Sequence, residues 1–199
     1  MVSDCNRYAF EWLENWTFKV QSNFVCLVGE SGSGKSHLAR IWAEKTGAEF
    51  LSRRRLAEIW QWGTEFPNRF CVLDDADELN DDLLLFCIYN TIKERNGYLL
   101  MTAKTYPNNW KLKYEDIKSR LRTVDVITVQ RPNEQAVSAI LEQMLLQRGL
   151  VGTPEIIEYI ANRIERTYEA MRCVVNRIDS YQMGKKGKLS MQSIRAIFK

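Results

Sequence analysis

The stretch Cys26 to Leu51, CLVGESGSGKSHLARIWAEKTGAEFL, limits the possible folds more than any other part of the chain. A short apolar run ends at Gly29. Gly29, Glu30, Ser31, Gly32, Ser33, Gly34, Lys35 and Ser36 then fit G-x-x-x-x-G-K-[ST] at every position. An amphipathic run with Leu38, Ala39, Ile41, Trp42 and Ala43 follows and closes at Gly47. Strand, glycine-rich turn and helix in that order make an anion cradle: glycines let backbone amides turn inward, and the helix start adds its positive end. Lys35 would reach the β and γ phosphates of a nucleotide, and Ser36 would ligate magnesium. A flexible turn matching by chance is the plain alternative, and the predicted strand before and helix after weigh against it.

A phosphate site of this type needs an acid at the end of a neighbouring strand. The stretch FCVLDD, Phe70 to Asp75, offers one, with four apolar residues leading into two aspartates. Asp74 would hold magnesium through water, and Asp75 stands where a water-activating carboxylate belongs. Asp77, Glu78, Asp81 and Asp82 follow closely, so a solvated acidic loop is the competing interpretation.

Around these two segments the pattern alternates. Helical spacing runs from Asn6 to Trp16, over Arg53 to Trp62 and over Leu83 to Arg95; strands are predicted at Phe24 to Val28, Glu49 to Leu51, Phe70 to Leu73, Tyr98 to Thr102 and Val124 to Val129. Strands alternating with helices predict a parallel five-stranded sheet covered on both faces. Beyond Arg131 and Pro132 only helices are expected, with starts at Thr153, Thr167 and Ser190 and an exposed turn at Gly184 to Lys188. The boundary is set near 131, giving an α/β domain over 1–131 and a small all-α domain over 132–199.

Composition bounds the rest. An apolar content of 45% suffices for a buried core, and a net charge of +3 does not mark a dedicated duplex-DNA binder. The five cysteines show no CxxC pair, which points to a reducing cytoplasm without disulfides or zinc. No apolar run approaches the roughly 20 residues that span a bilayer, and no signal core opens the chain, so no membrane partner is expected.

With GSGKSHLAR followed by VLDDADEL, LLMTAKTYP and IKSRLR, the chain resembles the AAA+ P-loop ATPase module of the bacterial replication initiator family, DnaA, and more closely the short regulatory relative Hda in its alphaproteobacterial form. His37 carries part of the likeness, since G-K-[ST]-H-L is typical of the family, and VSDCNRYAF is similar to the family segment beside the adenine. The resemblance implies ATP or ADP with Mg2+ as cofactors and Gly29, Ser31 to Ser36 and His37 as nucleotide contacts. It implies Arg120 as an arginine finger reaching the nucleotide of an adjoining subunit, and Thr102 as a polar sensor orienting the attacking water. A surface arginine between Lys118 and Arg122, and an ordinary strand residue, are the plain readings of those two. The second sensor arginine departs from the family pattern: Glu169 occupies its position, with Arg166 and Arg172 one turn to either side, and Arg172 is preferred.

The resemblance also implies what is expected to be missing, a helix-turn-helix DNA-binding domain after the helical part and, unless trimmed away, the clamp-binding peptide of Hda-type proteins. The function implied is a nucleotide-holding regulator of replication initiation, a weak ATPase at most, that promotes hydrolysis of DnaA-bound ATP through Arg120. The partners implied are DnaA and the sliding clamp, with head-to-tail self-association and weak or no direct DNA binding. Two alternatives stay open: a single-stranded-DNA helper such as a helicase loader, using Arg53 to Arg55 or Lys104 to Arg122, and a free-standing ATPase core.

Overall fold

The computed structural model describes residues 7–19, 22–52, 55, 56, 58, 68–182 and 187–198. Most of the expected helix at Arg53 to Trp62 and most of the expected turn at Gly184 to Lys188 lie outside them. The described residues separate into two compact units between Val129 and Gln130.

In the first unit the strands β1 (Phe24–Val28), β2 (Glu49–Phe50), β3 (Phe70–Leu73), β4 (Tyr98–Ala103) and β5 (Asp125–Thr128) form one parallel sheet in the order β2-β3-β4-β1-β5. All five residues of β1 are buried, which is why this strand reads as an unbroken apolar run rather than an alternating one. Alternate residues of the sheet feed two cores. Val25, Leu27, Val72, Leu100, Ile127 and Val129 meet helices α1 (Arg7–Lys19) and α2 (Lys35–Thr46) on one face. Cys26, Val28, Cys71, Leu73, Leu99 and Met101 meet α3 (Asp82–Glu94) and α4 (Glu115–Leu121) on the other. Trp16 fastens α1 to the first layer: its ring lies 4.8 Å from Trp42, and its Nε1 donates to the Ser22 carbonyl at 2.9 Å.

Parallel pairing puts the carboxyl ends of all the strands on one edge of the sheet. There β1 and its neighbour β4 part company, because α2 packs on one face while α3 and α4 pack on the other. A crevice between diverging connections is where an open α/β sheet takes ligands.

The second unit holds α5 (Glu134–Gln147), α6 (Pro154–Ala161), α7 (Tyr168–Tyr181) and α8 (Met191–Ile197) around a core that includes Ile140, Leu141, Ile160, Met171, Val175, Ile178 and Ile194. Asn133, Thr167 and Ser190 cap α5, α7 and α8 by accepting from Ala136 N, Ala170 N and Ser193 N at 2.8, 3.1 and 3.1 Å. Thr153 makes no such bond; α6 relies on Pro154 at its first position, whose fixed φ suits a helix start. The unit also contains a feature that the helical pattern does not announce, a short parallel ladder of β6 (Leu150–Val151) with β7 (Gly187–Lys188). With two residues per strand, no alternation can register in the sequence. Among the described residues no helix is long and apolar enough to cross a membrane.

Candidate functional site

The turn from β1 into α2 forms the cradle. Gly34 starts α2 at φ 100°, left-handed backbone that costs a side-chain-bearing residue and costs glycine little. Gly29 answers to crowding: a Cβ there would lie 2.2 Å from the Val129 carbonyl oxygen and 2.9 Å from Ser33 Oγ. Ser31 is exposed, Gly32 and Gly34 are half-buried, and His37 is half-buried in the first turn of α2. Ser33 is fully buried, and its hydroxyl has no hydrogen-bond partner among the described residues.

Lys35 is the most informative residue of the loop. Its side chain is 5% exposed, and its ammonium donates to the carbonyls of Gly29 and Glu30 at 2.7 and 3.0 Å. Among the described residues no carboxylate forms an ion pair with it. Burial therefore lowers its pKa, a pull only partly offset by the more distant charges of Asp75, Asp77 and Asp74. A buried cation held only by loop carbonyls, beside an orphaned hydroxyl and an open helix N-terminus, suits an anionic ligand with several oxygens.

The acids arrive from β3, two strands away across β4. Asp74 Oδ1 accepts from two hydroxyls, Ser36 Oγ at 2.9 Å and Thr102 Oγ1 at 2.6 Å, and Thr102 Oγ1 itself accepts from the Asp75 amide at 2.9 Å. The fully buried Thr102, on the middle strand, thus joins the end of β3 to the start of α2. A hydroxyl has one proton, and here it goes to Asp74. Among the described residues no group of three acidic, histidine or cysteine side chains could hold a metal alone. Ser36 and Asp74 fit magnesium only as it binds beside a nucleotide, through one or two protein oxygens with phosphate and water completing the shell.

Asp75 follows in left-handed backbone, φ 50° and ψ 50°, uncommon for a residue with a side chain and frequent at functional turns. Its pKa is raised, first by desolvation and then by the like charges of Asp74 and Glu78. A carboxyl raised in the folded state gives stability that is present below the ordinary carboxylate range and lost as pH rises through its folded value, so at neutral pH its ionised form weighs against folding. Asn is uncharged and tolerates this backbone better. An Asp75→Asn variant should therefore melt no lower than the parent chain at pH 7, with the difference shrinking as pH falls towards about 4 and absent below it; calorimetry across that range checks it, and a lower melting point at pH 7 would refute the electrostatic account.

Asp77 belongs to the same turn, and composition reads it only as part of an acidic loop. Its Oδ2 accepts from the Lys104 and Thr105 amides at 2.9 and 3.2 Å, tying the exit of β3 to the exit of β4. The signal was the DDADEL spacing, but which strand lies beside β3 is not written locally. Asp82 does similar work further out, accepting from the Lys113 and Tyr114 amides.

The remaining predicted residues stand elsewhere. Arg120 lies in the last turn of α4, with its guanidinium carbon 4.6 Å from the centre of the Phe86 ring and 5.8 Å from that of Tyr89. In the second unit, Arg166 pairs with Glu134 at the start of α5, while Arg172 is exposed in the first half of α7. Burial pushes the Cys71 thiol up to about 12 and raises that of Cys26 further, as befits small apolar core residues.

No family model matches the chain. An uncharacterised protein of Haemophilus influenzae is 22% identical over 210 residues, covering 98% of this chain and 89% of that protein. The chromosomal replication initiator protein DnaA of Campylobacter jejuni is 21% identical over 225 residues, covering the whole chain and 51% of the initiator. The chain thus spans about half the length of the DnaA sequences it matches. Among solved structures, domain III of Thermotoga maritima DnaA superposes with a TM-score of 0.80 at 14% identity, covering 98% of this chain and 92% of that domain. AMPPCP-bound DnaA from Aquifex aeolicus superposes with a TM-score of 0.70 at 18% identity, over 92% of this chain and 63% of that one. The fold is of the kind found in DnaA domain III.

Proposed function

We propose that the chain is an adenine-nucleotide-binding regulator of chromosomal replication initiation, related to DnaA and in function closest to Hda. It holds ATP or ADP with Mg2+ and promotes hydrolysis of ATP on a DnaA-type initiator by lending Arg120. The observation that carries the nucleotide assignment is Lys35, a buried cation with only loop carbonyls for company. The likeness to the AAA+ modules of DnaA, one of them solved with AMPPCP, supports adenine nucleotide as the ligand.

The nucleotide, when bound, supplies the phosphate oxygens that complete the magnesium shell and the bond to be hydrolysed. Gly29 to Ser36 cradle the phosphates, with Lys35 and the amides at the start of α2 facing their charge. Ser36 and Asp74 hold the magnesium side. Asp75 takes a proton from water in this reading, but a carboxylate one methylene shorter than glutamate reaches less far, so turnover by the chain itself is slow. In the helical unit the family resemblance gives the second-sensor role to Arg172, which is exposed, whereas Arg166 is paired with Glu134.

An arginine that neutralises charge on a transferring phosphoryl group is worth on the order of 10³-fold or more in rate. Adding the chain to ATP-loaded initiator should accelerate phosphate release, and Arg120→Ala should remove nearly all of that acceleration while leaving the chain's own nucleotide affinity unchanged. Full stimulation by Arg120→Ala would sink the finger assignment. Salt-sensitive binding to single-stranded DNA without any stimulation would favour the DNA-helper reading instead.

A further inference from the structure

The placement of Arg120 raises the question of what holds it. Its neighbours Lys118, on α4, and Arg122, just past its end, both reach Glu115, at 2.6 and 3.8 Å. Among the described residues Arg120 forms no ion pair; it lies over two aromatic rings instead. These belong to Phe86 and Tyr89, one turn apart on α3 and so on the same face of that helix. Tyr89 is anchored by stacking on Phe24, with ring centres 4.0 Å apart, and Phe86 packs against the same sheet core.

The two ways of holding an arginine differ chemically. A carboxylate would occupy the N–H donors and neutralise the charge, and both would have to be recovered before a phosphate could bind. A ring attracts the cation through its face and leaves the in-plane N–H donors available. We propose that Phe86 is a positioning residue for Arg120: it fixes the guanidinium on the surface of α3 while keeping its charge and donors for a phosphate oxygen of a nucleotide held by a second protein molecule. This rests on the regulator reading. It adds that the finger is preorganised by an aromatic face on the neighbouring helix, so that Phe86 acts on the rate of the stimulated step rather than on docking.

The test uses the full chain, the initiator assay and the variants Phe86→Leu, Phe86→Met and Phe86→Tyr beside Arg120→Ala, with maximal rate and half-saturating concentration measured separately. A cation–π contact at a partly exposed site is worth about fivefold in rate. Phe86→Leu and Phe86→Met, which fill the site without a ring, should each lower the maximal stimulated rate about fivefold, leaving the half-saturating concentration and the chain's own nucleotide affinity within twofold. Phe86→Tyr should retain the parent rate within twofold; that rescue separates loss of the ring from loss of packing. Maximal rates equal to the parent's in the Leu and Met variants, or a change confined to the half-saturating concentration, would overturn the proposal. If Arg120→Ala is inactive while Phe86→Leu is fully active, only the positioning role fails; if Arg120→Ala is fully active, the regulator reading fails and the positioning role with it.

Discussion

Lys35→Ala should weaken adenine-nucleotide binding by about 100-fold or more while leaving the ligand-free protein folded. Two charge-assisted hydrogen bonds at about 1.5 kcal/mol each already amount to that factor. The ligand-free expectation comes from the same geometry. Lys35 is buried with carbonyls alone, and its pKa is depressed mainly by desolvation. A base depressed in the folded state gives stability that is present above its ordinary range and lost as pH falls through the folded value; at neutral pH it is charged, and its burial weighs against folding. Truncation removes that burden together with two hydrogen bonds, so the ligand-free melting temperature should change little. The rise in melting temperature that saturating ADP gives the parent protein should vanish, because stabilisation by a ligand follows its occupancy of the folded state. Thermal melts of both proteins with and without ADP and magnesium read the two effects together. A variant that keeps the full ADP-induced rise would remove Lys35 from the site; one that is unfolded without ligand would show that the lysine holds the loop rather than the phosphate.

What could be read from the sequence divides by range. Gly29 to Ser36 and the run Phe70 to Asp75 are local patterns: a strand, its end and the residues that follow it are contiguous, so their chemistry is visible in one dimension. Their meeting is not. It depends on β4 lying between β1 and β3, with Leu27 opposite Thr102 and Leu73 opposite Met101, and strand order is set by how crossover helices pack rather than by any one segment. The same applies to the Val129 carbonyl against Gly29, contacts a hundred residues apart in the chain, and to Arg120 over Phe86. Helix α4 was hidden for another reason: over seven residues only Ile117 and Leu121 turn inward, too short a run for a period to show. The pairing of Glu115 with Lys118 three residues on supports it locally, and the acid's pKa is lowered chiefly by that hydrogen bond.

Thr102→Val decides between two roles for the hydroxyl that joins the two halves of the site. If Thr102 orients the attacking water, as the family resemblance implies, the loss appears in the hydrolysis rate alone. The bond pattern predicts something broader. With its proton given to Asp74 and a lone pair taken by the Asp75 amide, the hydroxyl fixes the magnesium-side carboxylate and the strained turn after it. Valine has nearly the same shape but leaves the Asp75 amide without its acceptor and Asp74 with Ser36 as its remaining hydroxyl donor. An abandoned buried donor costs about 1–3 kcal/mol, which in a chain of this size lowers the melting temperature by roughly 2–12 °C. The magnesium concentration needed for half-maximal nucleotide binding should also rise several-fold, because Asp74 is no longer held. Thr102→Ser, which keeps the hydroxyl, should restore both. An unchanged melting temperature and magnesium requirement in Thr102→Val, with only turnover reduced, would return the residue to the water-orienting role. A loss in Thr102→Ser that Thr102→Val does not share would assign the effect to packing of the methyl group instead.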